Sequence, residues 1–183
     1  MPVLPDSVNL RDGKLELRRL EPSDRDAVLH ACQDAELLRS TALPDPYTEE
    51  DANRLMDEVR AQWEEGRGAE LAITVDGDLV GSIHLVFHGE WRASVAYWLA
   101  AEARGNGYAT RSVRLLTGWA FETFDPLVRI ELWSIVGNDA SDAVARRSGF
   151  VEEGVLRSRL PYRGGYRDVR CFSLVREDQP SAV

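Results

Sequence analysis

The chain has 183 residues, of which 44% are hydrophobic and 29% are charged, and this size and composition predict one globular domain. The formal net charge of −9 argues against nucleic acid as the main partner. No apolar run approaches the roughly 20 residues of a membrane span, and no basic segment precedes an apolar stretch at the start, so we expect a cytoplasmic protein with no membrane partner.

The first half of the chain contains signals for a strand, helices and a hairpin. Alternation of leucine with charged residues predicts a strand, and an Asp-Gly turn between two apolar runs predicts a β-hairpin. The predicted elements are a strand at 15–20, a helix after Pro22, a loop at 40–48, a helix from Thr48 to about Gly66, and strands at 71–75 and 79–87.

The second half alternates strands with helices. The predicted elements are a strand at 91–100, a helix opened by 103–110 and ending near Phe124, a strand at 127–135, a helix at 138–148 and two strands within 150–175. The order β-α-α-β-β-β-α-β-α-β-β indicates an α/β domain with a mixed sheet. We expect one domain over residues 1–183, with its core at about 15–176.

Metal and disulfide chemistry are not predicted. Cys32 and Cys171 lie far apart without CxxC spacing, and His30, His84 and His88 form no cluster with carboxylates at ligand spacing.

The segment 103–110, Ala-Arg-Gly-Asn-Gly-Tyr-Ala-Thr, lies between an apolar strand and a helix. The first amides of a helix lack internal partners and favour an anion, and Gly105 and Gly107 permit close backbone approach. Arg104 and Arg111 can add positive charge. The spacing matches neither a Rossmann fingerprint nor Walker A, and a plain glycine-rich turn is the alternative.

About thirty residues later, 138–150 has the form N-x-x-S-x-x-V-A-x-x-x-G-F. Together the two segments resemble the GCN5-related N-acetyltransferase (GNAT) family, and the second resembles its RimJ/RimL-like subgroup, which acetylates ribosomal-protein N-termini. The resemblance extends from Leu15 to Arg176. It implies a mixed, mostly antiparallel twisted sheet of six to seven strands with flanking helices, in which a splayed parallel pair holds acyl-CoA.

The same resemblance implies a site for acetyl-CoA, or another acyl-CoA, as co-substrate, without a metal. The backbone at Tyr97, Trp98 and Leu99 is implied to bond the pantetheine arm. Asn138 is implied to bond it from the second helix, although a simple N-cap role is equally open. The pyrophosphate is implied to bind amides of one continuous segment: Arg104, Gly105, Asn106, Gly107, Tyr108, Ala109 and Thr110.

The implied reaction is direct attack of a neutral primary amine on the thioester. Many family members carry a tyrosine in the slot that Ala145 fills here, and Ser141 is implied to be the thiolate partner instead, or else a first-turn helix residue. Glu131 is a candidate base, with an ion pair to Arg129 as its alternative role, and His84 is the other candidate. The loop 34–47 and the helix 48–66 are expected to form the acceptor wall, with Tyr47 and Trp63 as candidate lining.

The acceptor remains open at this level: it is a protein N-terminus beginning with alanine or serine, or a small-molecule amine. Succinyl-CoA is an alternative donor. The competing classes are a non-catalytic CoA-binding module and an assembly module, in which strand edges at 156–170 pair in a homodimer.

Overall fold

The computed structural model describes residues 2–41 and 43–178, which form a mixed sheet flanked by helices. The strands are β1 (Asn9–Asp12), β2 (Leu15–Arg19), β3 (Gly68–Val75), β4 (Asp78–Phe87), β5 (Arg92–Leu99), β6 (Arg129–Ile135), β7 (Val151–Tyr162) and β8 (Gly165–Val175). They lie in the order β1-β2-β3-β4-β5-β6-β8-β7. β5 and β6 run parallel, and the other neighbouring pairs run antiparallel.

The helices are α1 (Arg25–Ala31), α2 (Ala35–Ser40), α3 (Glu49–Glu64), α4 (Tyr108–Thr123) and α5 (Asp139–Arg147). Short 3-10 turns cover Pro22–Asp24, Ala101–Ala103 and Arg176–Asp178. The predicted start of α3 at Thr48 is confirmed by a capping box, because Thr48 Oγ1 accepts from the Asp51 amide at 3.3 Å while Asp51 Oδ2 accepts from the Thr48 amide at 2.9 Å.

The core is divided between the two faces of the sheet. One face packs against α4, whose Val113, Leu116 and Ala120 are fully buried against the strands. On the other face, α1 and α3 cover the β3–β4 region, where Val28 and Ala72 are fully buried. Successive side chains of a strand point to opposite faces. Each strand residue therefore belongs either to the α4 face or to the α1/α3 face.

The predicted fold is confirmed, with an eight-stranded sheet in the described residues rather than six or seven strands. The additional strand is β1, whose four residues are too short and too polar to produce a periodic signal. It pairs with β2 around Gly13, which has φ of +59°. The predicted lining residues Tyr47 and Trp63 are instead buried at 4% and 6% exposure, and the Trp63 indole donates to the Pro5 carbonyl.

No helix in the described part of the chain is long and apolar enough to cross a membrane. Cys32 and Cys171 are free and buried.

Candidate active site

A wedge opens in the middle of the sheet between β5 and β6. The two strands pair only from Arg92 with Arg129 to Val95 with Leu132, although β5 continues to Leu99 and β6 to Ile135. Beyond that point β5 remains paired with β4, and β6 remains paired with β8. The strand ends therefore separate and leave unpaired backbone groups along both sides of the wedge.

The direction of the β5 backbone decides which residues face the wedge. The Ala100 amide donates to the Val80 carbonyl at 2.9 Å, so the peptide groups of Trp98, two residues earlier, also face β4. Those of Tyr97 and Leu99 then face the wedge. The Leu99 carbonyl accepts from Arg104 Nε at 3.2 Å. The geometry thus favours Tyr97 and Leu99 over Trp98 as backbone ligands.

The loop before α4 presents a row of free donors. Within the described residues, the amides of 105–110 donate to no protein acceptor, and the first helical bond runs from Arg111 N to Gly107 O at 3.1 Å. Gly105 and Gly107 have φ of +79° and +76°, and no atom lies within 4 Å of a Cβ built on either. This loop, at the positive end of a helix dipole, fits a pyrophosphate.

The flanking arginine side chains are engaged elsewhere. Arg104 pairs with Asp34 at 2.5 Å and with Glu36 at 3.0 Å, and Arg111 pairs with Asp12 at 2.5 Å. The predicted positive charge of Arg104 and Arg111 is therefore already neutralised within the chain. The backbone amides and the helix dipole remain as the groups that can meet an anion.

The start of α5 lies across the wedge from β5. Asn138 is the N-cap, and its Oδ1 accepts from the Ser141 amide at 3.1 Å. The Tyr97 hydroxyl donates to Ser141 Oγ at 3.4 Å, so two hydroxyl groups meet between β5 and α5. Burial, with a smaller contribution from the Asp142 charge, raises the pKa of Tyr97 against the effect of its bond to Ser141. The phenol consequently stays protonated at neutral pH and can donate a proton.

Ala145, in the slot where many relatives carry tyrosine, is fully buried in the core. A tyrosine at this position would have to displace packed side chains. The hydroxyl pair of Tyr97 and Ser141 lies outside that slot, and sequence reasoning identified only Ser141 as a hydroxyl donor.

Glu131 is buried at 6% exposure and is bound by arginines. Arg129 Nε lies 2.9 Å from Glu131 Oε1, and Arg92 Nη1 lies 3.5 Å from the same oxygen. Glu131 pairs with Ser94 at the closed end of the wedge. Both guanidinium groups contact Oε1, so that oxygen is already engaged and the carboxylate serves as an ion-pair partner at the closed end.

A second candidate base lies on the α1/α3 face. His84 Nδ1 is 3.1 Å from Glu70 Oε2, and Ser82 donates a hydrogen bond to the other Glu70 oxygen. Glu70 is 8% exposed, whereas the His84 side chain is 39% exposed. His84 Nε2 makes no hydrogen bond within the described residues and is free to act on an acceptor.

The position of His84 follows from the strand register. His84 pairs with Ala96 of β5, one residue beyond the last parallel pair, and Ala96 is exposed. Burial lowers the pKa of His84, but the charge and hydrogen bond of Glu70 outweigh this and raise it. The imidazole therefore lies on the strand next to the wedge, on the face opposite α4.

The comparisons with known proteins agree with this geometry. The acetyltransferase (GNAT) domain family matches residues 14–151. The chain belongs to this family. It is 34% identical over 126 residues to YdaF of Bacillus subtilis, whose name assigns it provisionally to ribosomal N-acetylation, with 68% of each protein covered.

Two solved structures also resemble this GNAT protein. Mycobacterium smegmatis RimJ, in complex with CoA-disulfide, has a TM-score of 0.85 and 26% identity, with 96% of this chain and 90% of that one covered. RimL, the ribosomal L7/L12 alpha-N-protein acetyltransferase in complex with coenzyme A, has a TM-score of 0.85 over 94% of this chain and all of that one; at 23% identity it supports the fold alone.

The family, the wedge and the related proteins identify an acetyl-CoA-dependent N-acetyltransferase. Within residues 2–41 and 43–178, no group of three or more His, Cys, Asp or Glu side chains could hold a metal ion.

Proposed function

We propose that this N-acetyltransferase acetylates the α-amino group of a protein N-terminus, with ribosomal proteins as the first class to test. The observation that carries the proposal is an open groove between the end of α2 and the β7–β8 hairpin, and we place the extended acceptor chain along it. Small-molecule sites are concave and enclose their ligand, and this groove does not. The name of YdaF, which assigns it provisionally to ribosomal N-acetylation, points to the same class of acceptor.

The donor is proposed to lie in the wedge. The amides of Tyr97 and Leu99 bond its pantetheine arm, and the amides of 105–110 bond its pyrophosphate. Asn138 orients the start of α5 and adds a polar group at the wedge. Bound acetyl-CoA supplies a thioester carbon that an amine can attack.

His84 is proposed as the base. Glu70 holds Nδ1, which leaves Nε2 to take the proton that the amine loses as the new N–C bond forms. Ser141 Oγ donates a hydrogen bond to the sulfur as the C–S bond breaks and CoA leaves as its thiolate, and the Tyr97 hydroxyl supports Ser141 through its own hydrogen bond to Oγ. Glu131, held by Arg129 and Arg92, keeps the closed end of the wedge in place.

The test uses synthetic peptides with a free N-terminal serine or alanine, acetyl-CoA and mass spectrometry. We expect one acetyl group on the α-amine, and no product from the same peptides with a blocked N-terminus and free lysines. Polyamines and amino acids serve as small-amine acceptors. Turnover of those small amines without turnover of any peptide would contradict the proposal. The single-domain organisation and the cytoplasmic location stay predictions.

A further inference from the structure

Three exposed arginines, two of them lining the groove and one on β7 next to Trp133, have no carboxylate partner within the described residues. They are Arg39 at the end of α2, Arg159 on β7 and Arg167 on β8. Most arginines elsewhere are paired, as Arg18 is with Asp24 at 2.7 Å. The chain has 31 acidic and 22 basic residues, so a local excess of unpaired positive charge is unexpected here. We call these three residues the arginine patch.

Aromatic rings hold two of these guanidinium groups. Arg159 lies 4.2 Å from the centre of the Trp133 ring, and Arg167 lies 4.9 Å from that of Tyr162. Such stacking fixes the guanidinium plane and leaves its N–H groups free for an anion. Trp133 follows Leu132, the last β6 residue in the parallel pairing, and points to the face opposite the buried Leu132, which is the face of His84. Arg159 is therefore at the mouth of the wedge.

Hydrogen bonds join the β7–β8 hairpin to α2 at one side of the groove. The Tyr162 hydroxyl donates to the Arg39 carbonyl at 3.0 Å, and Arg163 donates to the Leu38 carbonyl at 2.8 Å. Arg163 also pairs with Asp45 at 3.0 Å, so its charge is neutralised. The hairpin is thus fastened to α2, and Arg39 and Arg167 both line the groove that remains.

We propose that the arginine patch binds carboxylates in the segment that follows the acetylated N-terminus, so that the enzyme prefers acceptors with acidic N-terminal sequences. This proposal rests on the proposed function. With a net charge of −9, the rest of the protein favours cationic acceptors over acidic ones at long range. Salt screens that field over about 8 Å, whereas the patch acts at contact distance along the path of a bound chain. Guanidinium groups bind carboxylates through paired N–H donors.

The experiment compares two peptides with the same first three residues, followed by a segment rich in glutamate or by its glutamine counterpart. Parent enzyme should acetylate the glutamate peptide with the higher kcat/KM, mainly through a lower KM, and added salt should reduce the difference. Arg159→Gln and Arg167→Gln should each reduce the preference by about two- to fivefold, in line with exposed charge pairs.

Arg11→Gln is the matched control, because Arg11 is an exposed arginine on β1 at the opposite edge of the sheet. It removes the same charge and should leave the preference unchanged. Equal rates on both peptides would overturn the patch while leaving the proposed function intact. A preference that survives both patch variants would also overturn it. Failure on both peptides, with turnover of a small amine, would instead refute the proposed function.

Discussion

The assignment of His84 as the base is tested by two substitutions that keep side-chain size. His84→Gln retains a polar side chain but cannot take a proton from the amine. A positioned general base contributes about a hundredfold to ten-thousandfold in rate, which equals about 3–5 kcal/mol of barrier. We expect a fall of that size in kcat, with little change in the affinity for CoA, because the pyrophosphate loop precedes α4 and does not contact His84.

Glu70→Gln tests how the base is tuned. The Glu70 charge raises the pKa of His84, so its removal lowers that pKa. Neutral imidazole then forms at lower pH, and the rising limb of the rate profile should move to lower pH relative to the parent with the same acceptor. Solvent screens the pair because the His84 side chain is 39% exposed, although Glu70 is only 8% exposed, and we take the attraction as about 1 kcal/mol, the upper end for exposed ion pairs.

The same pair affects stability in a defined pH window. Because the folded-state pKa of His84 is raised, the pair stabilises the fold fully below about pH 6.5, the unfolded value, and loses that effect as pH rises through the folded value. Glu70→Gln should therefore lower Tm by about 2–4 °C more at pH 6 than at pH 9.

The assay measures single-turnover rates, CoA affinity and thermal melts on the same samples. A full chemical rate in folded His84→Gln would remove His84 from the reaction. A pH–rate profile whose rising limb is not shifted by Glu70→Gln would also remove His84 from the reaction. If Glu131→Gln instead abolished the chemical step and the rising limb of the pH–rate profile, Glu131 would be the base, despite its two arginine partners.

Two further predictions concern the donor. Gly107→Val should abolish the rise in Tm that CoA gives the parent, since φ of +76° disfavours valine and its side chain would fill the free space over the amides; CoA binding as tight as the parent's would contradict the loop assignment. Ser141→Ala should lower the single-turnover rate about tenfold to a hundredfold. Tyr97→Phe should lower that rate by a smaller factor in the Ser141→Ala background than in the parent, because the two hydroxyls are hydrogen-bonded. If the two losses in activation free energy are strictly additive, the hydroxyls act separately.

Local patterns predicted the turns and helix starts that border the wedge, while the donor-binding roles of these residues stay predictions. A glycine-rich turn before a helix and an asparagine before the next helix depend on neighbouring residues only, and both occur where the sequence indicated. The sequence did not predict contacts between side chains that come from segments distant along the chain. The residues next to Glu131 in sequence give no indication that Arg92, on the neighbouring strand, also contacts its carboxylate.

The Glu70–His84 pair shows a second limit. The turn sets Val75 opposite Asp78, and a regular hairpin with that register would place Glu70 opposite Ile83. An irregularity after Ile73 shifts the register by one residue, and only then do Glu70 and His84 face each other. The β-propensity of this hairpin predicted its two strands but not the bulge, so the sequence left the partner of His84 open.

The separation of β5 from β6 also bears on how long the folded protein lasts. Within the described residues, strand pairing between the β1–β5 half of the sheet and the half formed by β6, β8 and β7 is limited to the short parallel stretch ending at Val95 and Leu132. The pantetheine arm of acetyl-CoA, hydrogen-bonded to both β5 and β6, would bridge the gap between them. Local unfolding of one half of the sheet would then be coupled to unfolding of the other half. Because a ligand that binds only the closed sheet protects it in proportion to its concentration, degradation of the enzyme should slow when acetyl-CoA is abundant and quicken when it is depleted. The lifetime of the catalyst would then follow the supply of its own substrate.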